Sequence, residues 1–243
     1  MQPSPENYDV IYREDNFDVV YKAIIDGQEF GSEDIWSIKT SKACITAQSF
    51  LMGNVMVGQV DMTIMKPETE FARMAKIQLF IKLVSRTSGM ESGWAQKGEF
   101  FIDTRPTDES DDLKTMEIRG YDALRKASQP YPYSTLEWTS ASPYAQDVVD
   151  EIAMHLGVPV EKGTSAVLSA SRDAQHVVGF PAQYTISETL SSIGTMFASN
   201  FIISDAGELM LVGLFDLPDE TFYLIDERYD NITFGGTRIL VGY

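Results

Sequence analysis

The sequence predicts an α+β protein that is mainly β, with an antiparallel barrel or sandwich followed by a smaller α+β domain. Two observations support this fold class. Six or seven apolar runs of strand length follow one another without a convincing helix between them, and such spacing is typical of barrels and sandwiches. After residue 127 the apolar residues instead recur at helical spacing and in hairpins. We therefore predict a β domain over residues 20–127 and an α+β domain over residues 128–243.

The first elements can be placed in chain order. Residues 1–19 are polar and acidic and predict a flexible arm. Asp26 and Gly27 form a strong turn pair between two apolar runs, which predicts a hairpin. Further strands are predicted over residues 34–40 and 44–53.

The residue pattern of the strand predicted over residues 59–65 indicates which of its faces is buried. Val60, Met62 and Ile64 alternate with polar residues, the period of two that marks a half-buried strand. The run 77–84 has one fully apolar face, and its other face mixes Phe80 and Val84 with Gln78 and Lys82, which predicts a strand covered on both sides. The residues predicted to lie on a polar sheet face are Gln59, Asp61, Thr63 and, from a later strand, Glu117.

Residues 98–124 are rich in charge and raise the question of a catalytic carboxylate pair. Such a pair needs one desolvated carboxyl group and a fixed separation. The acidic residues of this stretch instead stand in one run after Pro106, as on a solvated turn; they are Asp108, Glu109, Asp111 and Asp112. We therefore interpret the stretch as a strand, a loop over residues 105–112 and a returning strand.

The second domain opens with a proline- and aromatic-rich linker, residues 128–138. A helix is predicted after it, with Ser142 as N-cap, Pro143 at the first helical position and Gly157 at its end. The apolar stripe of this helix consists of Val148, Val149, Ile152, Ala153 and Leu156.

A second helix is predicted to begin with a capping box of Thr185 and Glu188 and to end at Asn200. A hairpin that turns at residues 205–207 follows it. Two more strands are predicted in the tail, around a turn at residues 230–231.

The formal net charge of −17 bears on the possible partners. Such a chain repels DNA phosphates, so sequence-specific binding of nucleic acid is not expected. The negative charge is consistent with a conduit through which DNA slides. It is equally consistent with a role in keeping the protein soluble. No apolar run is long enough for a membrane helix, and the N-terminus has no secretory pattern, so we expect a cytosolic origin.

Residues that commonly carry catalysis or bind metals are few. The two histidines, His155 and His176, lack a metal-binding spacing. The single cysteine, Cys44, excludes an intrachain disulfide and a thiolate zinc cage. No nucleophile elbow or phosphate-binding glycine loop occurs. We therefore predict no catalytic residue, no cofactor, no metal site and no enzyme activity.

Three stretches resemble the tail-hub, or baseplate-hub, proteins of tailed bacteriophages. Residues 21–65 look like the opening strands of such hubs, and residues 116–124 resemble the step that closes their first tube-like barrel. Residues 183–212 resemble the helix and hairpin that follow. The matching residues are Gly53 in the first stretch, Gly120, Tyr121 and Asp122 in the second, and Glu188, Leu190, Ile193, Asp205, Gly207 and Leu209 in the third.

The resemblance implies a fold and a role. It implies a tube-like β-barrel over residues 20–127, and an α+β domain over residues 128–243 with room for the start of a second barrel. It also implies a virion structural protein of a phage or prophage tail tip, made in the host cytoplasm. This protein would form a ring between the tail tube and the tip. The implied partners are further copies of the chain, with a trimer favoured over a hexamer, and other tail proteins, while DNA only passes through the channel.

Two other functions remain open. A carbohydrate-binding or adhesin module of the tail tip is favoured if Trp94 and the aromatic residues of the linker 128–138 share one exposed groove. A hydrolase that uses two carboxylates requires an acid with a raised pKa in a cleft.

Overall fold

The structure is a computed structural model that describes residues 5–14, 16–41, 52–67, 70–104, 115–132, 143–170 and 183–213, and the backbone of residues 233–234 and 237–238. This part of the chain contains one seven-stranded sheet, two two-stranded sheets and four α-helices. The predicted fold class, α+β and mainly β, is confirmed. Among these residues, no helix is both long and apolar enough to cross a membrane.

The seven strands of the large sheet lie in runs where the sequence predicts strands. In chain order they are β1 (Phe17–Ile25), β2 (Gln28–Phe30), β3 (Ile35–Ser41), β4 (Gln59–Met65), β5 (Lys76–Ser85), β6 (Ala95–Thr104) and β7 (Thr115–Tyr121). Their order across the sheet is β2-β1-β5-β6-β7-β4-β3, and neighbouring strands are antiparallel. Asp26 and Gly27 both have positive φ, 52° and 80°, as a tight primed turn between β1 and β2 requires. The predicted hairpin is confirmed.

One face of this sheet forms the first hydrophobic core. Val60, Met62 and Ile64 of β4 are buried, as their alternation predicts, and they pack in one cluster with Ile77 and Leu79 of β5. The outward side chains of β5 between its ends are half-buried rather than covered. The predicted coverage of β5 on both faces is therefore only partial.

The two edge strands of the sheet are neighbours in the sequence. Five residue steps lead from Phe30, the end of β2, to Ile35, the start of β3, and they span at most about 18 Å. In a flat sheet, the six spacings between seven strands would separate these edges by about 29 Å. The sheet must therefore curl until its edges approach each other, which gives it a barrel-like shape.

The curled sheet is not a closed barrel within the described residues, because no ladder joins β2 to β3. The predicted tube-like barrel is thus present in these residues as a curled, open sheet. The physical reason lies in the two edges. β2 has only three residues, and β3 begins with a bulge between Ile35 and Ser37. Neither strand offers a long regular row of backbone groups to the other.

Residues 5–14 lie against the sheet. They include α1 (Tyr8–Tyr12), whose Ile11 is fully buried. The Ser85 hydroxyl of β5 donates a hydrogen bond to the Glu14 carboxylate. Where the sequence predicts a flexible arm over residues 1–19, the structure thus has a short packed helix, and β1 already begins at residue 17.

A second hydrophobic core lies in the C-terminal half. Its elements are a 3₁₀ helix (Ala123–Ser128), α2 (Ala145–Leu156), α3 (Lys162–Ala170), α4 (Ile186–Met196), and the hairpin of β8 (Ser199–Ile203) and β9 (Leu209–Gly213). The predicted stripe of α2 is buried, and Gly157 ends this helix with a positive φ of 77°. Two further short strands, β10 (Thr233–Phe234) and β11 (Thr237–Arg238), pair with each other.

The start of α2 differs from the prediction. The helix begins at Ala145, so Pro143 precedes it instead of occupying its first position. The Asp147 carboxylate accepts a hydrogen bond from the Tyr144 amide at 3.3 Å. This contact satisfies the backbone amide of Tyr144, the N-cap residue that precedes the first helical turn.

In α4 the predicted start is confirmed and the predicted end is wrong. Thr185 and Glu188 form the capping box, with the Thr185 amide donating to the Glu188 carboxylate at 2.7 Å. The helix ends at Met196, and Asn200 lies in β8, where its side chain accepts the Asn54 amide at 2.7 Å. The Asn200 side chain therefore binds the segment that precedes β4 instead of capping α4. The short helix α3 was not predicted, because its many small and polar residues give a weak helical pattern.

One segment between β3 and β4 binds the C-terminal half of the chain. Val55 forms a parallel bridge to Phe201 of β8, and the Met56 amide donates to the Phe201 carbonyl at 3.1 Å. The Gly53 amide donates to the Ser199 carbonyl at 3.0 Å. Residues 53–56 thus lie beside β8 as a third extended segment next to the small sheet of β8 and β9.

Several predicted features lie outside the described residues. They are Cys44 and most of its strand over residues 44–53, the acidic loop over residues 105–112, the linker residues from 133 onward, Ser142, His176 and the turn at residues 230–231.

Candidate functional site

A groove of about 540 Å³ lies on the polar face of β3, β4 and β7. These three strands are adjacent in the sheet, with β4 in the middle. Because side chains alternate along a strand, the residues between the buried ones all face this groove. Its charged and polar lining consists of Ser37, Lys39, Asp61, Thr63, Glu117 and Arg119.

Cross-strand contacts pair the charges of the groove. Asp61 stands opposite Arg119 in the β4–β7 register and opposite Lys39 in the β3–β4 register. The Arg119 guanidinium donates to the Asp61 carboxylate at 2.6 Å, and the Gln59 amide donates to it at 2.5 Å. Asp61 is therefore the centre of a ladder in which each positive side chain has a negative neighbour.

The electrostatics of the groove are those of a stabilised ion pair. The hydrogen bond from Arg119 holds the pKa of Asp61 below its usual value, and the same contact raises the pKa of Arg119. A carboxyl group that acts as a general acid needs the opposite, a raised pKa in a desolvated position. The geometry of this ladder supports binding or lining and gives no support to the hydrolase alternative.

The predicted polar-face residues lie on one face of the sheet. Asp61, Thr63 and Glu117 line the groove, and Gln59 contacts it through Asp61. The sequence reasoning missed Lys39 and Arg119, although both occupy polar positions of alternating strands. The alternation places both residues on a polar face. The sequence does not show that β3 and β7 are the neighbours of β4, so it does not bring these residues together with Asp61. Whether this face lines a channel stays a prediction.

A second cluster surrounds Trp94, on the outward face of β1, β5 and the start of β6. The Lys22 ammonium lies 4.6 Å from the centre of the Trp94 ring, and the Lys82 ammonium lies 5.3 Å from it. Lys82 is also paired with the Glu91 carboxylate at 2.6 Å. These ammonium groups occupy ring surface that a sugar would use. The shared groove with the linker, on which the carbohydrate-binding alternative depends, stays a prediction, because most of the linker's aromatic residues lie outside the described part.

The structure also locates the remaining candidates. His155 is exposed in the last turn of α2. Within the described ranges, no three His, Cys, Asp or Glu side chains converge in a way that could hold a metal ion.

Two residues of the 116–124 stretch have clear physical roles. The buried Asp122 carboxylate accepts the Gly58 amide at 2.6 Å and the Leu124 amide at 3.0 Å, so it ties the end of β7 to the segment before β4 and caps the 3₁₀ helix. Gly120 faces the core, where an added Cβ would lie 3.0 Å from Ile77 and from the Phe101 carbonyl. Close packing thus explains the glycine, and backbone capping explains the aspartate.

No family model and no curated protein matches this chain. The solved structures that are similar to it include two tail proteins. The 43 kDa tail protein of prophage MuSo2 from Shewanella oneidensis has 11% identity and a TM-score of 0.54, and the match covers 81% of this chain and 56% of that one. The tail protein from Neisseria meningitidis MC58 has 12% identity and a TM-score of 0.48, with 88% and 53% coverage.

This chain spans about half the length of the two solved tail proteins that it matches. Four fifths of the chain superimposes on the MuSo2 protein. The curled sheet and the α+β unit described above thus have a counterpart in a protein of known structure. The chain shares the fold of a prophage tail protein.

Proposed function

We propose that this chain is a non-enzymatic structural protein of a phage or prophage tail, and that it acts in the tail tip as a ring-forming hub. The observation that supports the proposal is the fold shared with the MuSo2 tail protein over 81% of the chain. The order of motif residues in the sequence points in the same direction. In this role the protein joins the tail tube to the tip and is located in the virion.

Assembly through strand edges is the proposed mechanism. β2 pairs with β1 only from Ala23 to Ile25, so the first six residues of β1 have β5 as their one described neighbour. The Ser32 side chain covers the Tyr21 amide and carbonyl, at 2.9 and 3.1 Å. The backbone before Tyr21 can accept a strand from another molecule, which would remove an exposed edge.

The polar groove is the proposed wall of the DNA channel. Arg119 is ion-paired with Asp61, and Lys39 stands opposite the same carboxylate, so their charges are partly offset for DNA phosphates. The formal net charge of −17 repels DNA as well. In this mechanism DNA passes the groove without sequence-specific binding.

Light scattering followed by negative-stain imaging of the same sample tests the proposal. We expect a trimer or hexamer with a central hole, either alone or after co-assembly with a tail-tube protein. The proposal fails if the protein forms a compact dimer without a channel. It also fails if a monomer does not co-assemble with a tube protein.

A further inference from the structure

The hydroxyl of Ser32 covers the backbone of Tyr21 at the free edge of β1. The oxygen accepts a hydrogen bond from the Tyr21 amide at 2.9 Å, and the hydroxyl donates one to the Tyr21 carbonyl at 3.1 Å. In an antiparallel ladder, an added strand would bond to these same two groups. One side chain therefore takes the place of a strand residue, and we call this contact the cap.

The register of the β1–β2 hairpin explains why Ser32 forms the cap. Ala23 stands opposite Phe30, and the same pairing continued by two residues would place Tyr21 opposite Ser32. β2 ends at Phe30, so its backbone does not reach this position. The Ser32 side chain thus continues the ladder by one residue after the backbone has left it.

The turn of residues 31–34 holds Ser32 in place. The Asp34 amide donates to the Gly31 carbonyl at 3.0 Å, and the Gly31 amide donates to the Asp34 carboxylate at 3.1 Å. The Met65 amide of β4 donates to the Asp34 carbonyl at 2.7 Å. The turn is therefore fixed to β4 on one side while Ser32 contacts β1 on the other, and the cap is formed before any strand arrives.

The cap determines how much of the β1 edge is open. Successive residues of a strand direct their backbone groups alternately to its two sides. Because the groups of Tyr21 point away from β5, those of Phe17 and Val19 do so as well. As this alternation requires, the Asn16 carbonyl points the other way and accepts the Arg86 amide at 3.1 Å. Removing the cap would lengthen the open row from two residues to three.

The stretch next to the cap has a composition that favours strand addition. Residues 17–21 read FDVVY, which combines aromatic and β-branched side chains with a single charge. These side chains have high β propensity, and an unpaired edge is a template for another strand. The side chains of Val19 and Tyr21 are 37% and 42% exposed. A cap at Tyr21 therefore shortens an edge that a strand can reach.

We propose that the cap is an autoinhibitory contact that limits strand addition at the β1 edge. This inference rests on the proposed assembly through strand edges and adds a control to it. A strand that docks along β1 as far as Tyr21 must displace the Ser32 hydroxyl, whereas a strand that stops earlier leaves the cap in place. The cap thus weakens association of the free chain and selects strands that offer Tyr21 backbone bonds in exchange.

Hydrogen exchange and sedimentation velocity of the full chain test the proposal. Ser32→Ala removes the cap, and Ser32→Thr retains its hydroxyl. Ser37→Ala is the matched control, because the exposed Ser37 hydroxyl donates to the Thr63 hydroxyl at 3.1 Å and covers no backbone group in this contact. Self-association reports strand addition, since every copy presents the same edges. Circular dichroism and thermal unfolding check that every variant is folded.

The expected effects have the size of one hydrogen bond. In Ser32→Ala the Tyr21 amide should exchange roughly 2- to 10-fold faster than in the wild type. The same substitution removes the competitor of an added strand, so self-association should strengthen by a similar factor, roughly 2- to 10-fold. Ser32→Thr and Ser37→Ala should behave as the wild type in both measurements.

Two results would overturn the proposal. One is an unchanged exchange rate of the Tyr21 amide in Ser32→Ala, because the contact would then protect nothing. The other is self-association that is no stronger in this variant than in the wild type, whether both associate equally or both stay monomeric. In either case a ring of the wild type, or its co-assembly with a tube protein, would still support the hub function. Conversely, a cap that behaves as expected in a chain that forms no ring and binds no tube protein would stand without the hub function.

Discussion

Gly53 allows a quantitative test of how closely residues 53–56 pack against α4. It has a positive φ of 75°, and a Cβ added to it would lie 2.0 Å from the Thr195 hydroxyl and 2.5 Å from the Ser191 carbonyl of α4. Gly89 provides a matched control, because its φ is 71° and an added Cβ would meet nothing within 4 Å. The two glycines differ in crowding and agree in backbone conformation.

The expected magnitudes follow from this difference. Alanine at either position adopts a left-handed conformation, which costs about 1–2 kcal/mol. At Gly53 alanine must also displace a helix carbonyl, and overpacking typically costs a further ~1–3 kcal/mol. Gly53→Ala should therefore lower the free energy of unfolding by about 2–5 kcal/mol, and Gly89→Ala by about 1–2 kcal/mol.

Chemical denaturation followed by circular dichroism measures both losses. In a chain of this size, each kcal/mol corresponds to roughly 2–4 °C in the melting temperature, so thermal unfolding gives an independent check. Equal losses in the two variants would refute the reasoning, because they would show that residues 53–56 do not lie as close to α4 as described. A loss confined to Gly89→Ala would refute it as well.

Three further predictions concern a buried capping carboxylate, the pH dependence of stability and an exposed tryptophan. Asp122→Ala leaves two backbone amides without their carboxylate and should cost about 3–6 kcal/mol of unfolding free energy; a loss below about 1 kcal/mol in urea titration would contradict the role of this residue. The pKa of Glu161 is lowered by hydrogen bonds from the Gly163 and Thr164 amides. Its contribution to stability is therefore present above its usual value of 4.5 and is lost as pH falls below it. The stability difference between the wild type and Glu161→Gln should accordingly shrink as pH is lowered from 7 to below 4.5, and a difference independent of pH would exclude this cause. Trp36 is 71% exposed, so Trp36→Ala should leave the free energy of unfolding within about 0.5 kcal/mol of the wild type, and a larger loss would show that the ring packs against the chain.

The sequence was most informative where a local pattern has one structural solution. The alternation of residues 59–65 predicts which side chains of β4 are buried, because successive side chains of a strand point to opposite faces. The turn at Asp26 and Gly27 and the capping box at Thr185 are predicted equally well, since each depends on a few adjacent residues. Helix ends were less predictable. Asn200 is a residue type that often caps helices, but its side chain instead accepts a hydrogen bond from the Asn54 amide, which is far away in the sequence.

The groove on β3, β4 and β7 was likewise predictable only in part. Alternation identifies Asp61, Thr63 and Glu117 as residues of a polar face. It does not pair Asp61 with Arg119, because that contact depends on β4 and β7 being neighbours in the sheet, although β5 and β6 lie between them in the sequence. The Trp94 cluster likewise combines residues from two strands, β1 and β5, with the residue that precedes β6. Long-range strand order, which a single sequence does not encode locally, decides both surfaces.

The sequence by itself determined the mainly β class, the strands of the sheet, the start of α4 and the acidic character of the chain. These features follow from residue types and from spacings of a few residues. Only the tertiary structure decided that the sheet curls without closing, that residues 53–56 bind β8, and which charges face one another. The reason is physical: closure, docking and ion pairing depend on distances between segments that are far apart in the chain, and the packing of the two cores sets those distances.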